Sequence, residues 1–181
     1  MTPVLEGFDL ALRPFAIEDA AQLAAAVVAS RQEIGRFMDW AHPEYGVDDA
    51  RTFIRSTLLN RRAAVAFDYG IFSADGELAG VVSINNLHED HHSGNVGYWV
   101  RTSKTRQGLA SAAVKAIVPY GFQVLKLVRL EIVAAESNTA SRRVAEKVGA
   151  RFECIARNRL VIHGQPAAAA VYSLIPPGVT G

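Results

Sequence analysis

Hydrophobic and polar positions follow two rhythms along this chain, one of period two and one close to 3.6. From Phe8 to Arg13 apolar and polar residues alternate until Pro14, which predicts a first strand. Glu18-Asp19 then open an alanine-rich stretch to Ala29, with acids in the first turn and good helix formers behind them. A short separate helical piece is expected over residues 31–38, and Trp40-Ala41-His42-Pro43 reads as a loop. Asp48-Asp49 open another helix through Leu59, with Ala50, Phe53, Ile54, Thr57 and Leu58 on one stripe.

After Ala63 the period-two rhythm takes over. Segments 64–73 and 78–84 are strand-like, and Ala74-Asp75-Gly76-Glu77 between them predicts a hairpin turn. A polar connection over 88–93 leads to a short strand at 96–100. Residues 108–126 read as a buried helix, apolar on most sides, with Pro119 kinking it or marking its last turns. A strand over 128–134 precedes a compact helix over 139–148, with Ala140, Val144 and Val148 on one face and Gly149 as its stop. Segments 152–160 and 168–175, joined at His163-Gly164-Gln165, form a closing hairpin. The order β, α, α, β, β, β, α, β, α, β, β predicts a mixed sheet with packed helices, an α/β or α+β fold. No linker interrupts it, so a single domain over 1–181 is expected, with the helices before Ala63 as an insertion over one sheet edge.

Composition narrows the class. Half of the 181 residues are hydrophobic and a fifth are charged, enough for a sizeable core and unlike a disordered chain. Nineteen basic and eighteen acidic residues leave a net charge of +1, which does not favour nucleic acid or an anionic membrane as the main partner. The lone Cys154 excludes an internal disulfide and a multi-cysteine metal site, and is expected in the core. Residues 1–9 lack a basic n-region, and the apolar runs fall short of the ~20 residues of a membrane span. A soluble, cytoplasmic protein without a membrane partner is the expectation.

The chemistry concentrates where a strand ends, a polar basic loop follows, and Gly108 sits at a helix start. Free N–H groups and the helix dipole make such a start an anion cradle, and Arg101, Lys104 and Arg106 add cations. A phosphate or pyrophosphate fits there; an ordinary basic loop capping a helix is the alternative. Neither a Walker A loop nor a Gly-x-Gly-x-x-Gly fingerprint is present. Asn138, thirty residues on, can cap the next helix by accepting the Ser141 N–H, and the pair can also face a ligand between the two preceding strands.

Taken together, Gly97-Tyr98-Trp99-Val100, Arg106-Gln107-Gly108-Leu109-Ala110, Glu136-Ser137-Asn138-Thr139-Ala140-Ser141 and Ala145-Glu146-Lys147-Val148-Gly149-Ala150 resemble the GCN5-related N-acetyltransferase (GNAT) family. More narrowly they resemble its ribosomal-protein alanine N-acetyltransferase (RimJ/RimL-like) branch, as do Trp40-Ala41-His42-Pro43 and Val171-Tyr172-Ser173-Leu174. The resemblance implies a mostly antiparallel seven-stranded sheet, a central parallel pair splayed in a V, and helices on both faces. It implies acetyl-CoA as co-substrate and no metal. The pyrophosphate would lie on Thr105, Arg106, Gln107, Gly108, Leu109, Ala110 and Ser111, with Arg101 beside it. The pantetheine would lie between strands 96–100 and 128–134, along Trp99 and Val100, with Asn138 and Ser141 beside it.

Direct attack of a neutral amine on the thioester is the implied reaction, and edge-strand amides suit both the pantetheine and a developing oxyanion. Ala145 stands where many relatives have an acidic tyrosine; Ser141 matches a serine that the branch places near the sulfur, with Asn138 beside it. Asn95 stands where the family often has a basic glutamate. A substitute would come from His88, Glu89, Asp90, His91 or His92, with Glu89 as the candidate base, or from ordered water. Trp40, Tyr45 and His88 are the candidate acceptor-site residues. The acceptor is a primary amine, a protein N-terminus or a small molecule. Pro166-Ala167-Ala168-Ala169-Ala170 replaces a charged pair that the branch often carries, which weakens the case for a basic ribosomal N-terminus. A homodimer is the implied assembly. The alternatives are a non-catalytic acyl-CoA sensor on the same fold, or transfer of another acyl group such as succinyl.

Overall fold

The computed structural model describes residues 10–73 and 75–178. Phe8 and Asp9 of the first predicted strand, the rest of the segment 1–9, and Ala74 of the predicted turn lie outside the described residues. The seven strands are β1 (Leu10–Arg13), β2 (Phe67–Ser73), β3 (Leu78–His88), β4 (Ser93–Val100), β5 (Arg129–Ala135), β6 (Arg151–Ile162) and β7 (Gln165–Leu174). Among the described residues the α-helices are α1 (Ala20–Ile34), α2 (Val47–Arg62), α3 (Leu109–Pro119) and α4 (Thr139–Lys147). One sheet contains all seven strands in the order β1-β2-β3-β4-β5-β7-β6, and β4–β5 is its parallel pair.

Strand alternation divides the core between the two sheet faces. Ile71, Val82, Ile84, Val96, Leu130 and Ile132 pack with Val114 and Ile117 of α3 and Ala145 of α4. Their neighbours Phe72 and Val81 point the other way, onto Leu23 and Val27 of α1 and Ile54 of α2. The first two helices therefore cover a face of β1–β3 and build a second core there. They are not an insertion over an edge. Arg13 ties β1 to this layer through two bonds to Asp19, of 2.7 and 2.8 Å.

Several expected boundaries shift for local reasons. Helix α1 runs unbroken to Ile34, because no breaker separates Ala29 from Arg31; a separate helix over 31–38 does not form. It ends at Gly35, where a Cβ would meet the Arg31 carbonyl oxygen at 2.7 Å. Strand β2 begins at Phe67, after Ala64 takes a left-handed φ of 57°. The predicted helix over 108–126 divides into α3, ending at Pro119, and a π-helical turn over Tyr120–Val124. Proline lacks the N–H that a regular ladder uses, so the change of winding falls at the residue that marked the last turns.

Two burial expectations are corrected. In α4, Ala140 is exposed and Ala145 is the fully buried residue, with Val144 and Val148 packed beside it. Cys154 is exposed, not core. It lies on β6, an edge strand whose sole strand neighbour among the described residues is β7 and whose register with it shifts twice.

Candidate functional site

The site grows from a defect in the sheet. Strands β4 and β5 share three parallel rungs, Ser93–Arg129, Gly94–Leu130 and Asn95–Glu131, and then part. Beyond them residues 96–100 of β4 keep pairing with β3, and residues 132–135 of β5 with β7. Their facing edges form the two arms of a V. The expected split between 96–100 and 128–134 is thus displaced on one arm, because residues 129–131 belong to its closed end.

Both helices that follow these strands start at the open end, and their starts differ. Gly108 precedes α3 with φ +81°, a left-handed conformation that glycine adopts without steric cost. No side chain caps α3, and the first backbone bond of its ladder is Ala112 N–H to the Gly108 carbonyl. The N–H groups of Leu109, Ala110 and Ser111 therefore have no partner within the helix, the arrangement that suits an anion. At α4 the corresponding need is met internally, since Ser141 N–H donates to Asn138 Oδ1 at 3.1 Å.

The basic loop is less positive than its composition suggests. Arg101 Nη1 and Lys104 Nζ both reach Glu77, at 2.9 and 3.0 Å. Arg106, with φ 62°, has no ion pair among the described residues. The loop is pinned to α1 where Thr102 N–H donates to Ser30 Oγ at 2.9 Å and Thr102 Oγ1 donates to Glu33 at 3.0 Å. A cradle of backbone N–H groups with one unpaired cation fits a pyrophosphate.

Across the V, Tyr98 reaches α4. Its hydroxyl donates to the Ser141 carbonyl at 3.0 Å and lies 2.9 Å from Ser141 Oγ. Burial pushes the Tyr98 phenol up to about 12, against the lowering effect of the Ser141 bond, so it is a neutral hydrogen-bonding group at physiological pH. The Gly97-Tyr98-Trp99 run by itself gives Tyr98 no task. The available signal was its place two residues after Val96, on the same sheet face.

The other candidates fall apart into two groups. Trp40 is 41% exposed and stacks obliquely on Trp99 and Tyr45, at 6.1 and 6.0 Å between centroids. Tyr45 itself is buried in the second core. This cluster is on the α1/α2 side of β4, while the Trp99 and Val100 backbones continue the arm of the V. His88 pairs with Ser93, and Glu89 belongs to the turn beyond it, so both sit at the closed end, five strand positions from Tyr98. That separation is roughly 17 Å along a strand. A clasp spans the α1/α2 side as well. The His163 N–H, at the β6–β7 tip, donates to the Asp39 carboxylate at 3.0 Å, and His163 Nδ1 lies 3.2 Å from it.

A splayed parallel pair with an anion-ready helix start at its mouth can seat a phosphate-bearing ligand, and sequence comparison gives the class. The Acetyltransferase (GNAT) domain profile matches residues 9–151. The chain belongs to the GNAT acetyltransferase family. "Putative ribosomal N-acetyltransferase YdaF" of Bacillus subtilis is 30% identical over 161 residues, covering 87% of this chain and 86% of that protein. A solved structure described as "a putative ribosomal-protein-serine acetyltransferase from Vibrio cholerae" superposes with a TM-score of 0.81 at 32% identity, covering 97% of this chain and 98% of the other. Mycobacterium smegmatis RimJ, solved in complex with CoA-disulfide, gives 0.86 at 25% identity, covering 97% and 86%.

Proposed function

We propose that this protein moves acetyl from acetyl-CoA to a primary amine, with the free α-amine of a peptide chain as acceptor. The observation that carries the reading is the uncapped start of α3 at the mouth of the V, together with the Tyr98–Ser141 contact that joins β4 to α4. The N–H groups of Leu109, Ala110 and Ser111 bind the pyrophosphate, with Thr105, Arg106, Gln107 and Gly108 completing the loop. The open edge of residues 96–100 pairs with the pantetheine amides, as an added strand would. An N–H of that edge polarises the thioester carbonyl.

The neutral amine attacks the carbonyl carbon, the C–S bond breaks, and coenzyme A leaves as a thiolate that must be protonated or hydrogen-bonded. Ser141 Oγ supplies that hydrogen bond, with Asn138 holding the first turn of α4 in place. The amine proton passes to solvent water. Glu89, at the closed end, serves as its acceptor only for an amine that enters there. Relatives named for ribosomal-protein acetylation support the peptide acceptor.

Calorimetry with acetyl-CoA, followed by a thiol-release assay over an amine panel, tests the proposal. Micromolar binding and release with a peptide α-amine are expected. No binding at millimolar acetyl-CoA overturns it, and binding without transfer to any amine identifies an acyl-CoA sensor instead.

A further inference from the structure

Two cations of the loop before α3 are already engaged with an anion. Arg101 Nη1 lies 2.9 Å from one oxygen of the Glu77 carboxylate, and Lys104 Nζ lies 3.0 Å from the other. The two cations thus bracket one carboxylate, each on its own oxygen. The same side chains could bracket two oxygens of a phosphate in the same way. Glu77 comes from a different part of the fold, the turn between β2 and β3. Its backbone is fixed there independently. Ser73 N–H donates to the Glu77 carbonyl, and Glu77 N–H donates to Ser73 Oγ, both at 3.0 Å. The carboxylate is the part of the residue that reaches across to the loop.

Such a bridge can act as a clamp on the loop or as a rival to a ligand. The neighbouring contacts favour the rival, because the loop backbone is held without Glu77. Arg101 N–H donates to the Ala79 carbonyl at 2.9 Å, Thr102 N–H to Ser30 Oγ at 2.9 Å, and Thr102 Oγ1 to Glu33 at 3.0 Å. Within the loop, Lys104 N–H donates to the Arg101 carbonyl and Thr105 Oγ1 to the Thr102 carbonyl, both at 2.8 Å. The two ion pairs therefore fix the ends of two long side chains, not the path of the chain. Those ends are open to solvent: the side chains of Arg101, Lys104 and Glu77 are 27%, 36% and 41% exposed. Pairs this exposed are weak and are screened by salt. A phosphate carrying two negative charges attracts the same cations more strongly than one carboxylate does.

We propose that Glu77 is an internal competitor for the phosphates of the cofactor: it holds Arg101 and Lys104 in the free protein and yields them to the bound ligand. The proposal rests on the CoA-binding part of the transferase reading, and it names a residue that sets affinity without touching the ligand. Arg106, which has no ion pair among the described residues, meets an anion without any exchange. The other two cations become free only when Glu77 lets go. Removing the carboxylate is then a change that tightens binding.

The test is calorimetry with CoA on the full chain, in wild type, Glu77→Gln, Lys104→Gln and the double variant. Glu77→Gln is expected to bind CoA about three- to tenfold more tightly at low salt. The gain is expected to shrink at about 0.5 M salt, where exposed charges are screened. Lys104→Gln is expected to lower affinity about threefold more in the Glu77→Gln background than in wild type, because only there is its cation free beforehand. Unchanged or weaker CoA binding in Glu77→Gln overturns the proposal and makes Glu77 a clamp. Equal losses from Lys104→Gln in the two backgrounds overturn it as well. Dephospho-CoA shows which phosphate draws the cations: a gain kept with it points to the pyrophosphate, a gain lost points to the 3′-phosphate, and both sustain the competition. Thiol release with a peptide α-amine separates the two levels. Tighter CoA binding in Glu77→Gln with no acetyl transfer by any variant sustains the competition and sinks the transferase reading; transfer with unaltered affinity in Glu77→Gln does the reverse.

Discussion

The Tyr98 hydroxyl contacts both the side-chain and the carbonyl oxygen of Ser141, at 2.9 and 3.0 Å, and so joins β4 to α4 across the open V. A serine held this way has a fixed rotamer before the thioester arrives. Tyr98→Phe is expected to lower kcat about tenfold while CoA affinity stays within about twofold, and Ser141→Ala to lower it at least as far. If the tyrosine acts through the serine, the double variant is no slower than Ser141→Ala. Steady-state thiol release checks this, and effects that multiply in the double variant contradict it.

Gly108 holds φ +81° at the start of α3. A side chain there costs about 1–2 kcal/mol in backbone strain, and relief of that strain turns the N–H cradle. Gly108→Ala is expected to weaken CoA binding about tenfold, by the conversion of about 1.4 kcal/mol per decade. Gly108→Glu, which adds a negative charge at the pyrophosphate position, is expected to abolish it. Calorimetry with CoA reads both, and unchanged affinity in the alanine variant would place the pyrophosphate elsewhere.

Ala145 is 0% exposed, inside the core that α4 shares with the sheet. Introducing the tyrosine that many relatives carry there would not restore an acid at the V. Ala145→Tyr is expected to destabilise the fold by about 1–3 kcal/mol through overpacking, with no gain in turnover. Urea melts and kcat together decide this; a stable variant with faster turnover would show that α4 can turn its face to the cofactor.

Glu153 accepts from Arg129 Nη1 at 2.8 Å and from Ser173 Oγ at 2.6 Å. The Arg129 bond, then the Ser173 bond, hold its carboxyl at about 2, below the ordinary value of 4.5. A depressed carboxylate stabilises the fold fully above the unfolded value and loses that contribution as pH falls toward the folded one. Stability is therefore expected to decline between about pH 4.5 and about pH 2 in part through this group. In Glu153→Gln that segment of the stability–pH curve becomes shallower, as chemical denaturation at stepped pH would register.

Much of the strand order was readable because local signals agreed with tertiary ones. Asp75-Gly76 closes its hairpin with Gly76 at φ 85°, and Gly149 stops α4 at φ 83°. The Asn138 cap also followed from residue type and spacing. What escaped depends on partners distant in the chain. Glu77 neutralises Arg101 and Lys104 from a neighbouring hairpin, so a basic loop by composition holds one unpaired cation. Cys154 is apolar enough to be expected in the core, yet its place on the edge strand β6, set by β7 pairing on the inner side, leaves it exposed. Asn95 and Glu131 meet on one rung that only the parallel pairing creates, so no local signal announced it.

The exposed position of Cys154 reaches into the practice of measuring this enzyme. Any reagent that counts the thiol of released coenzyme A also meets one accessible protein thiol per chain. Reaction progress therefore carries an offset equal to the enzyme concentration, and Cys154→Ser removes it. The same thiol, on the outer strand and away from the V, is a unique attachment point for a fluorophore.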